Sequence, residues 1–201
     1  QRRKEAGSYL VKQVISEAER LKILRLLTIT SQPEYFAAHG FKEELKGQRP
    51  MFMTLADEDR KTPPTCPASI RLATADDIPD VQALIGSGVA EGHLLPRSKN
   101  EIEDQIREGL FWVADTGKEV AGCCTLDVYT EELGEERSLY VKEDQRGKHI
   151  AQNLIEEGIL EAQRRRLRRL IAITHEPDVF RHRGFKDALK DQKALFMNLA
   201  A

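Results

Sequence analysis

The chain repeats itself. Residues 7–56 align without a gap on residues 151–200, and 21 of those 50 positions are identical. The clearest anchors are Glu17-Ala18 with Glu161-Ala162, Ile29-Thr30 with Ile173-Thr174, and Gly40-Phe41-Lys42 with Gly184-Phe185-Lys186. Phe52-Met53 likewise matches Phe196-Met197, and Gln1 to Lys4 sit against Gln145 to Lys148. Convergence on one amphipathic pattern would not give identical residues across four elements, so duplication is the better reading. The second copy has residues 69–150 ahead of its repeat, whereas the first has nothing comparable. The expected organisation is therefore the C-terminal half of a first copy over 1–56, truncated or degenerate, and a complete unit over 69–201. A linker over 57–68 separates them. It is charged and then proline-rich (Pro63, Pro64, Pro67), as suits a semi-rigid spacer.

Composition narrows the function classes. Of 201 residues, 40% are hydrophobic and 32% charged, which suits a packed globular chain and not a disordered one. A net charge of −2 gives no general pull toward nucleic acid or an anionic membrane. Apolar runs such as Leu170–Ile173 fall far short of a membrane span, and no secretory signal opens the chain. Cys66, Cys123 and Cys124 are odd in number, and neighbours on a strand point to opposite faces, so reduced thiols in a cytoplasmic protein are expected. No Cys/His spacing suggests a metal site.

In the complete copy, Ile70–Leu72 reads as a strand. Thr74 caps a helix from Asp77 to about Ile85, and Ser98 with Glu101 forms a capping box for a second helix to Glu108. Strands over 110–114 and 119–129 flank the turn Asp115-Thr116-Gly117-Lys118, and a further strand covers 137–141. Ile150, Leu154, Gly158 and Ala162 have helical spacing. A buried strand over 170–174, a short helix over 177–183 closed by Gly184, and a last strand over 194–199 complete an α/β fold with a mixed sheet.

The most informative segment runs from Glu135 to Ala151, where a strand passes through a basic loop into a helix. Unsatisfied backbone N–H groups at a helix start carry partial positive charge and cradle phosphate. Arg146 and Lys148 add charge, while Gly147 and Ala151 allow close approach to the backbone. The same residues also suit a plain basic surface loop with a helix cap.

The order Val141, Arg146-Gly147, Ile150-Ala151 and Leu154 after a strand resembles the acetyl-CoA loop of the GNAT superfamily of N-acetyltransferases. Ile70-Arg71-x-Ala73-x-x-Asp76-Asp77-Ile78 resembles that family's opening, and Phe180-x-x-x-Gly184-Phe185 its closing signature. The segments Glu91 to Ser98, Gly122 to Leu126 and Glu135 to Val141 resemble N-acetylglutamate synthases and related amino-acid acetyltransferases. The resemblance covers 69–200. It implies a mostly antiparallel central sheet with flanking helices and direct transfer of acetyl from acetyl-CoA to the amine of an amino acid or small molecule. It also implies that Leu139, Tyr140, Val141, Arg146, Gly147, Lys148, His149, Ile150, Ala151, Gln152 and Phe180 contact the cofactor, with no metal. Glu135 is the candidate general base and Arg97 the candidate holder of a substrate carboxylate. Two positions depart from the family: its central loop glycine is His149 here and Glu5 in the first copy, and its general-acid tyrosine falls at Phe180. A non-catalytic CoA-binding or regulatory module is the alternative. Leu10, Ile15, Leu26, Leu27 and Ile29 of the first copy are expected to seek burial, by packing of the two copies or in a homodimer.

Overall fold

The computed structural model describes residues 2–23, 25–43, 47–56, 62–188 and 192–199. The charged start of the expected linker, 57–61, lies outside the described residues, and Thr62–Cys66 carry no regular structure. Two compact units emerge, one of residues 51–186 and one of residues 1–50 with 187–201.

The larger unit holds a six-stranded sheet in the order β2-β7-β6-β5-β4-β3. The strands are β2 (Arg49–Thr54), β3 (Ser69–Leu72), β4 (Phe111–Asp115), β5 (Val120–Val128), β6 (Leu133–Val141) and β7 (Arg169–Thr174). From β3 to β6 all pairings are antiparallel, and β6 and β7 run parallel. The expected α/β fold with a mixed, mostly antiparallel sheet is what forms. Side-chain alternation assigns the two faces. Phe111, Val113 and Cys123 pack with Val81, Leu84 and Ile85 of α3 (Ile78–Ala90) and Ile102 of α4 (Lys99–Arg107). Trp112, Ala114, Cys124 and Leu126 pack with Leu154, Ile155, Ile159 and Ala162 of α5 (Ile150–Arg164). The capping box of α4 is present, with the Ser98 N–H donating to Glu101 Oε2 at 2.7 Å and the Glu101 N–H to Ser98 Oγ at 3.3 Å. Helix α3 runs five residues past Ile85, through Gly86 and the buried Gly88, and ends just before Gly92 with its left-handed φ of 76°. Strand β6 starts four residues before Arg137, since Gly134, Glu135 and Glu136 pair with Leu170, Ile171 and Ala172. A last short helix, α6 (Pro177–Arg181), follows β7.

The smaller unit has α1 (Arg2–Arg20), β1 (Arg25–Thr30), α2 (Pro33–Ala37) and β8 (Lys193–Asn198). Strand β8 pairs antiparallel with β1, from Arg25↔Asn198 to Thr30↔Lys193. The two units thus divide the chain after residues 50 and 186, and β8 of the second copy falls in the unit that holds α1 and β1. The last strand of the first copy stands beside β7, and the last strand of the second stands beside β1. The two strands, RPMFMT and KALFMN, share an apolar pattern, so sequence cannot assign either to its edge. Tyr9, Leu10 and Val14 of α1, and Leu21 just after it, are exposed, whereas Leu154, the repeat counterpart of Leu10, is fully buried. Helix α1 also runs through residues 2–5, whose counterparts 146–149 form a loop in the second copy.

Met51 is completely buried in the core formed by Leu110, Trp112 and Leu154, although it belongs to the first repeat. Met51→Ala is expected to destabilise the 51–186 unit by about 2–5 kcal/mol, read as a lower denaturant midpoint of Trp112 fluorescence.

Candidate active site

Strands β6 and β7 are paired only as far as Glu136↔Ala172. Beyond that point they diverge and open a cavity of about 530 Å³, lined by residues 136–141 of β6 on one side and 173–180 on the other. That volume suits the enclosed part of a ligand. The β6 wall is shaped by a bulge. Cys123 pairs with Tyr140 and Thr125 with Arg137, so Cys124 alone faces Ser138 and Leu139. Ser138 takes a left-handed φ of 52° there. The adjacent cysteines anchor the bulge: Cys123 Sγ donates to the Ser138 carbonyl at 3.4 Å and Cys124 Sγ to the Arg137 carbonyl at 3.5 Å. Burial pushes the Cys123 thiol up to about 12, and Cys124 also rises well above the usual thiol value, so both are packing groups and not nucleophiles.

At the wide end of the cavity the basic loop turns into α5. Gly147 has φ 78° and His149 φ 63°, two left-handed residues around Lys148. Such alternation turns successive N–H groups toward one point and makes an anion-binding concavity at a helix start. His149 thus adopts the conformation that glycine takes freely, which is why a glycine is expected there and what the histidine strains to keep. In the first copy the counterparts Arg3 and Glu5 are helical, so no such concavity exists. Arg146 is held in place: its Nε donates to the Val141 carbonyl at 3.0 Å, its Nη2 to Glu91 Oε2 at 2.7 Å, and its guanidinium lies 5.5 Å from the Tyr140 ring centre. Glu91 also accepts from the Tyr140 hydroxyl at 2.6 Å.

Of the residues named from sequence, Leu139, Tyr140, Val141, Arg146, Gly147, His149, Ile150, Ala151, Gln152 and Phe180 all line the cavity. Lys148, Arg97 and Glu135 do not. The Lys148 ammonium turns back to the Asp144 carbonyl and Gln145 Oε1, both at 2.9 Å. Arg97 is buried and committed, donating to Ser138 Oγ at 2.8 Å and to both oxygens of Asp127 at 3.0 and 3.1 Å. Glu135 is buried one step from the wall, accepting from the Tyr129 hydroxyl, with Oε1 3.9 Å from Arg137 Nε. Burial holds its carboxyl above the usual range, with Arg137 opposing.

Sequence reasoning passed over other wall residues, Arg137, His93, His175 and Glu136 among them. Arg137 lines the cavity and donates to Asp127 Oδ2 at 2.7 Å. His93 and His175 line it with ring centres 5.4 Å apart. Glu136 is 2% exposed, accepts from Cys124 Sγ at 3.0 Å through Oε2, and has no hydrogen-bond partner for Oε1 among the described residues. The parity of β6 was the available signal: Glu135 and Glu136 point to opposite faces, and the bulge after them decides which nears the cavity. Burial pushes Glu136 up to about 8, and the charge of Glu156 adds to this.

The pattern that defines an acetyltransferase (GNAT) domain matches residues 107–187. An uncharacterized N-acetyltransferase of Chlorobaculum tepidum is 35% identical over 128 residues, 63% of this chain and 79% of that protein. An amino-acid acetyltransferase of Mycobacterium tuberculosis is 28% identical over 128 residues, 62% of this chain and 72% of that protein. The structure of N-acetylglutamate synthase from Neisseria gonorrhoeae, complexed with coenzyme A and N-acetyl-glutamate, superposes with a TM-score of 0.56. It is 27% identical and covers 67% of this chain and 35% of its own.

Two outcomes are expected. His149→Gly relieves the left-handed strain and raises stability by roughly 1 kcal/mol, seen as a higher denaturation midpoint. Glu136, whose folded value near 8 exceeds its ordinary 4.5, keeps its proton in the folded state while the unfolded chain releases it. Its contribution therefore weakens the fold as pH rises from about 4.5 to about 8, and Glu136→Gln should flatten the fall of Tm across that window.

Proposed function

Because this chain belongs to the GNAT N-acetyltransferases, which are acetyl-CoA-dependent acyltransferases, we propose that the cavity between β6 and β7 transfers acetyl to the amine of an amino acid or small molecule. The observation that carries this reading is the bulge at Ser138–Leu139 facing a cleft whose far end is the left-handed concavity at the start of α5. The pyrophosphate of CoA fits the concavity formed by Arg146 to Ala151. The pantetheine arm then runs along Leu139 to Val141, and the thioester reaches the narrow end of the cleft. Phe180, 2% exposed on the α6 side, packs against the arm.

The acceptor nitrogen attacks the thioester carbon directly. Backbone N–H groups at the bulge stabilise the negative charge that develops on the carbonyl oxygen, a rigid arrangement that needs no reorganisation during the reaction. Glu135 takes the proton from the attacking amine through a water. Its burial favours that role, since a carboxylate raised from its usual range is a stronger base near neutral pH. For an amino-acid acceptor, Arg137 is better placed than Arg97 to hold the carboxylate. It lines the cavity with its side chain 30% exposed, against 6% for Arg97. The amino-acid acetyltransferase of M. tuberculosis and the N. gonorrhoeae synthase support an amino acid as the first acceptor class to screen.

Calorimetric titration of acetyl-CoA into the chain tests the reading, and one saturable site per chain is expected. Two sites would mean that the first copy also binds, and none would sink the proposal. Binding without turnover across an amine panel would favour the regulatory alternative. With an active amine found, Glu135→Gln should lower kcat by about 10²-fold while leaving acetyl-CoA affinity unchanged. Full turnover in that variant would remove Glu135 from the mechanism.

A further inference from the structure

Collapse of the tetrahedral intermediate leaves a CoA thiolate that needs a proton, and Phe180 has none to give. Among the groups on the cavity wall, one stands out. Glu136 is the last residue of β6 paired with β7, so it sits at the narrow end of the cleft, where the thioester of a ligand anchored at residues 146–151 arrives. Its carboxyl is almost wholly buried, and one oxygen has no partner among the described residues. A buried polar atom without a partner is costly, and such atoms persist where something else uses them. The space is made by the chain itself: a Cβ on Gly158 of α5 would overlap the Glu136 carboxyl. The other proton-bearing wall groups are placed differently. The Tyr140 hydroxyl is spent on Glu91. His175, Glu176, Asp178 and His182 all follow the end of β7, beyond its paired stretch, and His93 lies between α3 and α4.

We propose that Glu136 donates the proton to the departing CoA sulfur, a role that rests on the cavity binding acetyl-CoA as set out above. The C–N bond forms as the amine attacks, the C–S bond breaks as the intermediate collapses, and the Glu136 O–H proton passes to sulfur. The products are the N-acetylated amine, CoA thiol and a Glu136 carboxylate, which regains a proton from solvent. The proton lost by the amine leaves separately through Glu135.

The groups around Glu136 suit a carboxyl that is protonated at rest. Cys124 from β5 donates to Oε2. Glu156 from α5 is a like charge, and buried Arg183, just after α6, is paired with Glu156. Burial, helped by the charge of Glu156, outweighs the Cys124 hydrogen bond, which favours the carboxylate, and keeps the proton on Glu136 up to about pH 8.

The test uses the full chain with acetyl-CoA and an amine that it acetylates, following release of CoA thiol. Glu136→Gln keeps the acceptor for Cys124 but has no acidic proton. It is expected to fold at least as stably as the parent, bind acetyl-CoA equally well in calorimetry, and lose about 10²-fold in kcat with little change in KM. The parent's kcat should fall above about pH 8, and that alkaline fall should vanish in the variant. Unchanged kcat, or an alkaline fall that persists in Glu136→Gln, overturns the proposal. So does a parallel loss of acetyl-CoA affinity, which would make Glu136 a shaping residue only. These results leave the acetyltransferase reading intact, since the parent still turns over. A parent chain that binds no acetyl-CoA overturns both.

Discussion

The parting of two parallel strands is the constraint on which the site depends. Strands β6 and β7 hold together for four residues and then separate, and the gap opens a cavity in the sheet. Opening a sheet leaves backbone donors and acceptors without partners, which is costly unless something satisfies them. Part of the answer here is local. The bulge shifts the β6 register against β5, and the thiols of Cys123 and Cys124 bond the Ser138 and Arg137 carbonyls. The adjacent cysteines, one per face, act as two short caps on one distortion.

On the α3/α4 face the bulge is braced by charge. Arg97 ties Ser138 to Asp127, Arg137 joins the same aspartate, and Glu135 stands beside Arg137 with Tyr129 on its other oxygen. Two guanidiniums and two carboxylates balance, which is how buried charge is tolerated. On the α5 face a single carboxyl, Glu136, is buried against a thiol and a glycine without a cation of its own. The two neighbours Glu135 and Glu136 thus meet opposite electrostatic surroundings on the two faces of one strand.

Much of this was legible in the sequence. The capping box at Ser98 and Glu101, the hairpin turn at Gly117 and the helical spacing from Ile150 to Ala162 each depend on residues close together along the chain, and each appears where it was read. Ten of the eleven residues read as cofactor contacts line the cavity, because a strand–loop–helix segment places them locally. Lys148, Arg97 and Glu135 stand off the cavity wall, which the local pattern does not show. Arg97 is turned away by Asp127, distant in sequence, Glu135 takes the face opposite Glu136 and meets Tyr129 and Arg137 there, and Lys148 folds back on Asp144 and Gln145 of its own loop.

The sequence by itself determined the repeat, the order and type of the elements, and the basic turn at the start of α5, since these follow from period, capping and local backbone preference. It could not decide which of two nearly interchangeable strands fills which sheet edge. Either β2 or β8 presents the same alternating apolar face, and only the tertiary structure sets β2 beside β7 and β8 beside β1. Nor could it say that burial holds Glu136 above the usual carboxylate range. A pKa is a property of burial and neighbours, and those exist only once the sheet, the bulge and Gly158 of α5 have come together.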